Sequence, residues 1–158
     1  MWSRPSQRGL ALLFLLIAVA VLAVAMTAAQ LLWSTEAREQ RETQLLVVGD
    51  AYRRAIESYY FAIPGHPAYP QRVADLLADP RFPQVVRHLR QAYRDPLTGE
   101  TLDRIHDPVS GGIMGVYSKA PGVPLKIANF PRQDAAFDGA TSYAQWRFEF
   151  APLDGHRR

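Results

Sequence analysis

The side chains able to do chemistry are few and scattered. The chain carries four histidines, fifteen acidic residues and no cysteine. Without cysteine there are no disulfides, thiolate metal ligands or cysteine nucleophiles. His66 sits in a proline-glycine loop, His88 on an expected exposed helix face, and His156 near the C-terminal end. None belongs to a His-Glu-x-x-His pattern, which places two imidazoles one helical turn apart around zinc. Asp103, His106 and Asp107 are close enough in sequence to ligate a cation, but a solvated turn after a strand uses the same residue types. There is no Gly-x-Ser-x-Gly elbow. Gly111-Gly112-Ile113-Met114-Gly115 lacks the lysine and hydroxyl residue of a phosphate loop, so these glycines are expected in a turn or bulge. No catalytic, cofactor-binding or metal-binding residue is assigned, and the chain is not expected to be an enzyme.

Charge narrows the partners. The formal net charge is +3, from 18 basic and 15 acidic residues. The arginines are interspersed with acids and form no basic stripe, so nucleic acid is not an expected partner.

The elements that would position any site begin with an uncharged apolar run from Leu10 to Leu32, preceded by Arg8 and Gly9. A run of about 23 residues is long enough for a helix to cross a bilayer core of roughly 30 Å. Arg4 and Arg8 precede it and no acid does, so the positive-inside rule keeps residues 1–9 cytoplasmic and exports the rest. A cleaved signal peptide is the competing reading, with Ala23-Val24-Ala25 as the cleavage pattern and a soluble chain starting near Met26. The apolar character continues through Leu31, Leu32 and Trp33, beyond the usual h-region, which favours a retained transmembrane helix over 10–33.

No proline or glycine interrupts the chain from Leu10 to Val48. The stretch 36–42 is rich in helix formers, with Arg38 and Glu42 spaced to pair on a wet surface. From Leu45 onward Tyr52, Ile56, Tyr59 and Ile63 recur at helical spacing, with Val48 and Ala55 beside them. Asp50, Arg53, Arg54 and Glu57 are expected on the opposite face. Pro64-Gly65 stops the pattern. One helix is therefore expected over 10–63, its amphipathic part covering 34–63, with Gly49 a weak point in its interior.

Residues 64–158 read as a small globular α+β domain. Short helices are expected over 70–78 and 83–93, each with proline near its start. Asp95-Pro96-Leu97-Thr98-Gly99 reads as a turn. Strands are expected over 101–105, 113–118, 125–128 and 143–150. The last alternates, with Ala144, Trp146, Phe148 and Phe150 on one face. The predicted fold is a long N-terminal helix packed on a small antiparallel sheet.

These features together resemble the type IV pilin and type II secretion pseudopilin family. The resemblance rests on the basic-Gly9-apolar junction and on the long helix that turns amphipathic halfway. It rests also on the body motifs Tyr-Arg-Asp-Pro-Leu-Thr-Gly (93–99), Gly-Gly-Ile-Met-Gly-Val-Tyr-Ser (111–118) and Tyr-Ala-Gln-Trp-Arg-Phe (143–148). It implies a pilin-like fold and a pseudopilin subunit of the bacterial inner membrane, its C-terminal domain periplasmic. It implies prepilin peptidase cleavage between Gly9 and Leu10 and N-methylation of Leu10. The implied partners are other pilin or pseudopilin subunits and inner-membrane proteins of the secretion machine.

The chain departs from the family pattern at Phe14, where most members carry a glutamate. That glutamate is thought to offset a neighbour's N-terminal amine in the apolar filament core, where an unpaired charge is costly. Its replacement implies a minor or tip subunit, or a non-polymerising single-pass or secreted periplasmic binding protein. The helix-kinking proline of many members is also missing. Major members bind calcium in a loop near their C-terminal strands. Asp134 and Asp138, with Gln133, stand in a similar loop, but two carboxylates fall short of the six to eight oxygens calcium takes, and no metal is assigned.

Overall fold

A computed structural model describes residues 7–152, with side chains described at 11–22 and 36–152. The chain forms two compact units, Met1–Arg38 and Glu39–Arg158. Helix α1 runs Gln7–Tyr60, 54 residues. Among the described residues no helix is long and apolar enough to cross a membrane. The expected span over 10–33 falls only partly within them, because the side chains at 10 and 23–33 lie outside.

The second unit is α+β. Its helical side is the later part of α1, where Leu45, Val48, Tyr52, Ala55, Ile56 and Tyr59 are buried as the spacing predicts. The helix stops three residues before the expected end. Arg81 donates to the Tyr59 carbonyl at 2.7 Å, and its guanidinium carbon lies 3.6 Å from the Tyr59 ring centroid. A cation there satisfies an orphan carbonyl and opposes the negative end of the helix dipole. The chain then turns through Gly65, whose φ of 78° is open to glycine.

Three short strands cover the helix: β1 Asp103–His106, β2 Ile113–Tyr117 and β3 Phe148–Glu149. They pair antiparallel in the order β1-β2-β3. Arg104 lies opposite Val116, which lies opposite Phe148, so these three share one face. A bulge interrupts the β1–β2 register between Ile105 and His106. Trp146 and Phe148 are wholly buried, and a Phe130–Phe137–Trp146 cluster closes the core.

The body departs from expectation in four places. The helix expected over 70–78 shrinks to α2, Val73–Leu77. No helix forms over 83–93, because that segment folds back on α2 through its own backbone. Asp79 N–H donates to Val86, and both His88 and Leu89 N–H donate to Leu76. No strand forms over 125–128, where the Leu125 and Lys126 N–H groups are taken by the Glu42 carboxylate. The strand over 143–150 survives only as β3. A 3₁₀ turn, Tyr143–Gln145, precedes it and buries Tyr143 while exposing Ala144, reversing the expected faces at these two positions, whereas Trp146 and Phe148 are buried as expected.

Gly49 lets the helix approach the sheet closely rather than being a weakness. A Cβ built there would lie 2.3 Å from the Phe148 ring. The aromatic face occupies the space that any other residue would need. Gly49→Ala should therefore destabilise the unit by about 2 kcal/mol through overpacking, despite alanine's better helix propensity. Denaturant unfolding of the two proteins measures this. A gain in stability would contradict the contact.

Candidate functional site

Two kinds of feature stand out: an uncovered apolar stretch in the first unit, and four fastenings built on buried carboxylates in the second. In the first unit every described side chain from 11 to 22 is exposed. Phe14 is 79% exposed and Leu22 61%. Burying each large apolar side chain is worth about 1.5–3 kcal/mol, so such a surface favours association with lipid or with another apolar helix. Gly9 and Leu10, the expected processing site, have side chains outside the described residues. α1 itself starts at Gln7, upstream of the expected cut.

The second unit is fastened from inside by carboxylates. Glu42, expected on a wet surface, is 2% exposed. Its carboxylate accepts from Leu125 N–H at 2.8 Å, Lys126 N–H at 3.1 Å and the Tyr143 hydroxyl at 2.5 Å. It thereby holds two segments more than eighty residues away in sequence. Glu42 stands three residues before Leu45, on the apolar stripe, and that spacing was the signal for its burial.

Asp50 and Arg53, expected opposite the stripe, form a second clasp. Arg53 donates to Asp50 at 2.7 Å and to Asp134 at 2.8 Å, while Gln133 reaches Asp50 at 3.1 Å. Arg54 also pairs with Asp50. Burial alone would raise the Asp50 pKa, but Arg54 and Arg53 hold it below the ordinary aspartate value. The loop that the resemblance associated with calcium therefore presents Asp134 to a guanidinium. Asp138 lies outside this clasp, at the end of the 3₁₀ helix Arg132–Phe137. Among the described residues no group of three or more His, Cys, Asp or Glu gathers to hold a metal.

Asp95 is the third fastening. It stands in the expected turn, where Gly99 N–H donates to its carbonyl at 2.7 Å and Leu97 N–H to its carboxylate at 2.9 Å. The Ser118 hydroxyl, buried at the end of β2, donates to the same carboxylate at 2.6 Å. Two of the body motifs are thus joined by one buried side-chain bond.

The fourth contains a serine, a histidine and an aspartate in a chain. Ser58 Oγ is 2.8 Å from His88 Nδ1, and His88 Nε2 is 3.2 Å from Asp79. His88 is not on an exposed helix face as expected; its side chain is 4% exposed. The order matches a nucleophile relay, but Ser58 stands in the last turn of α1, where the helix presents carbonyls. An oxyanion needs N–H donors, which a helix offers at its other end. The cluster also fastens the fold: Asp79 accepts from Arg81, the guanidinium that ends α1. Hydrogen bonds from Arg81 hold the Asp79 pKa at about 2.

Asp103, His106 and Asp107, though adjacent, are separately engaged. Asp103 pairs with Lys119, His106 Nδ1 meets the Gly111 carbonyl, and Asp107 accepts from Ser110. They converge on nothing.

No family model matches this sequence, and neither a curated protein nor a solved structure gives a significant match.

Two outcomes follow from the carboxylates. Glu42→Ala leaves two backbone N–H groups and a hydroxyl without their acceptor, and should cost about 3 kcal/mol of stability. Tyr143→Phe should cost about 1–2 kcal/mol. Denaturant midpoints measure both, and near-neutral values would remove Glu42 from the core. Asp79 sets the acid response. Its folded pKa of about 2 lies below the ordinary aspartate range, so its contribution is complete above pH ~4 and is lost as pH falls towards 2. Asp79→Asn should lower stability at neutral pH by about 2 kcal/mol and flatten the dependence between pH 4 and 2. An unchanged acid limb in the variant would contradict this.

Proposed function

We propose that the chain is a pseudopilin-like subunit of the bacterial inner membrane, with a structural role in a type II secretion or type IV pilus-like filament. The observation that carries this reading is the uncovered apolar stretch at 11–22, charge-free and preceded by Arg8 and Gly9. An apolar surface of this kind needs lipid or other apolar helices around it. The α+β unit with a helix against a small antiparallel sheet is compatible with a pilin-like body. On this reading residues 1–9 are a cytoplasmic leader, prepilin peptidase cuts between Gly9 and Leu10, and the later unit is periplasmic. The partners are other pilin or pseudopilin subunits and inner-membrane proteins of the machine.

Phe14 favours a second reading within or beside the first. A phenyl ring cannot offset a neighbour's N-terminal amine in an apolar core. A minor or tip subunit, with no neighbour to neutralise, tolerates this. So does a single-pass or secreted periplasmic binding protein that never polymerises.

The mass and N-terminal residue of the protein from its native cells test the proposal. A chain starting at methylated Leu10 is the expected result, and Gly9→Val should leave the precursor intact and impair export. A start at Met1 would make it a plain signal anchor. A soluble chain starting near Met26 would make it a secreted protein. For the tip role, Phe14→Glu should be tolerated or should draw the protein into filaments, and loss of membrane insertion would contradict it.

A further inference from the structure

β1 is an edge strand. β2 pairs one side of it, and no strand among the described residues pairs the other. Beside it opens a pocket of about 320 Å³ with Tyr52, Val73, Leu102 and Val116 on its apolar floor and Arg94 and Arg104 among its polar residues. No acidic residue lines it. The volume is at the small end of ligand pockets and suits one large side chain. Arg104 faces the same side as Val116, its partner across the ladder. Arg94 donates to the Gly99 carbonyl at 3.1 Å. Neither arginine has a carboxylate at ion-pair distance among the described residues.

The charge of this edge selects its occupant. A second copy pairing edge to edge would bring two copies of the same Arg94–Arg104 edge together, a like-charge approach that opposes association. An acidic strand meets the opposite situation. In an extended segment residues i and i+2 point the same way, so carboxylates two residues from an apolar anchor lie on the anchor's side.

We propose that the β1 edge and its pocket dock an extended segment of a different protein, in which a large apolar side chain is flanked at two-residue spacing by carboxylates. The backbone of the segment bonds to the free side of β1, the anchor enters the pocket, and Arg94 and Arg104 pair with the carboxylates. β1 spans only four residues, which limits the docked stretch to a few residues. The proposal rests on residues 52–116 alone and is independent of processing at Gly9.

The test uses the full chain in detergent micelles with two probes, acetyl-Glu-Thr-Phe-Thr-Glu-amide and its counterpart with lysine in place of both glutamates. The acidic peptide should bind and shift the amide resonances of Leu102 and Arg104, and the basic one should not. Arg104→Gln should weaken binding about tenfold. Ala92→Trp, at an exposed lining position, should block the pocket and abolish binding while the circular dichroism spectrum and melting midpoint stay unchanged. Failure of the acidic peptide to bind, equal binding of both peptides, or binding retained in Ala92→Trp overturns the proposal. Self-association without peptide that Ala92→Trp removes would give the site to a second copy, and would overturn it equally.

Discussion

The second unit depends on one buried carboxylate. Glu42 places a carboxyl group inside the core, which is costly unless that group is fully hydrogen-bonded. Here it is satisfied by two adjacent backbone N–H groups and a tyrosine hydroxyl. The arrangement determines much else. It keeps 125–128 out of the sheet, because those N–H groups cannot serve a ladder as well. It draws Tyr143 inward, which starts the last segment as a 3₁₀ turn and leaves only two residues for β3. With β1 and β2 also short, the sheet is small, and one face of α1 completes the core.

The other carboxylates repeat the device. Asp50, Asp79 and Asp95 each accept from groups on the chain's distant or irregular segments. In a body with short strands and a five-residue helix, regular ladders satisfy few backbone groups. Buried polar groups must then be satisfied by side chains. Arginine suits this role because its fork can bond two partners at once, as Arg53 does between Asp50 and Asp134.

The regular parts of this fold were legible in the sequence. The apolar stripe of α1, the turn at 95–99 and the strands near 103 and 113 follow from periodicity and turn chemistry. The apolar face at 11–22 was equally plain. The irregular parts were not. Nothing in the alternation of 143–150 reveals that a glutamate a hundred residues earlier will claim Tyr143. His88 was expected on an exposed helix face, yet the segment folds back through backbone bonds to Leu76 that leave no mark on side-chain pattern. Glu42 was misread because its charge was weighed above its position on the stripe. Long-range polar contacts of this kind have no local period, and the buried clasps were therefore the part a sequence reading missed.

The single guanidinium at the end of α1 has a dynamic consequence. Arg81 bonds the Tyr59 carbonyl, stacks on its ring and holds Asp79, which in turn meets His88. The last helical turn and the loop over 79–89 therefore cannot loosen separately. Fraying the helix end exposes a buried carboxylate, and opening the loop leaves the helix terminus uncapped. The two segments are therefore expected to open as one cooperative unit, their amide protons exchanging with solvent on a common timescale.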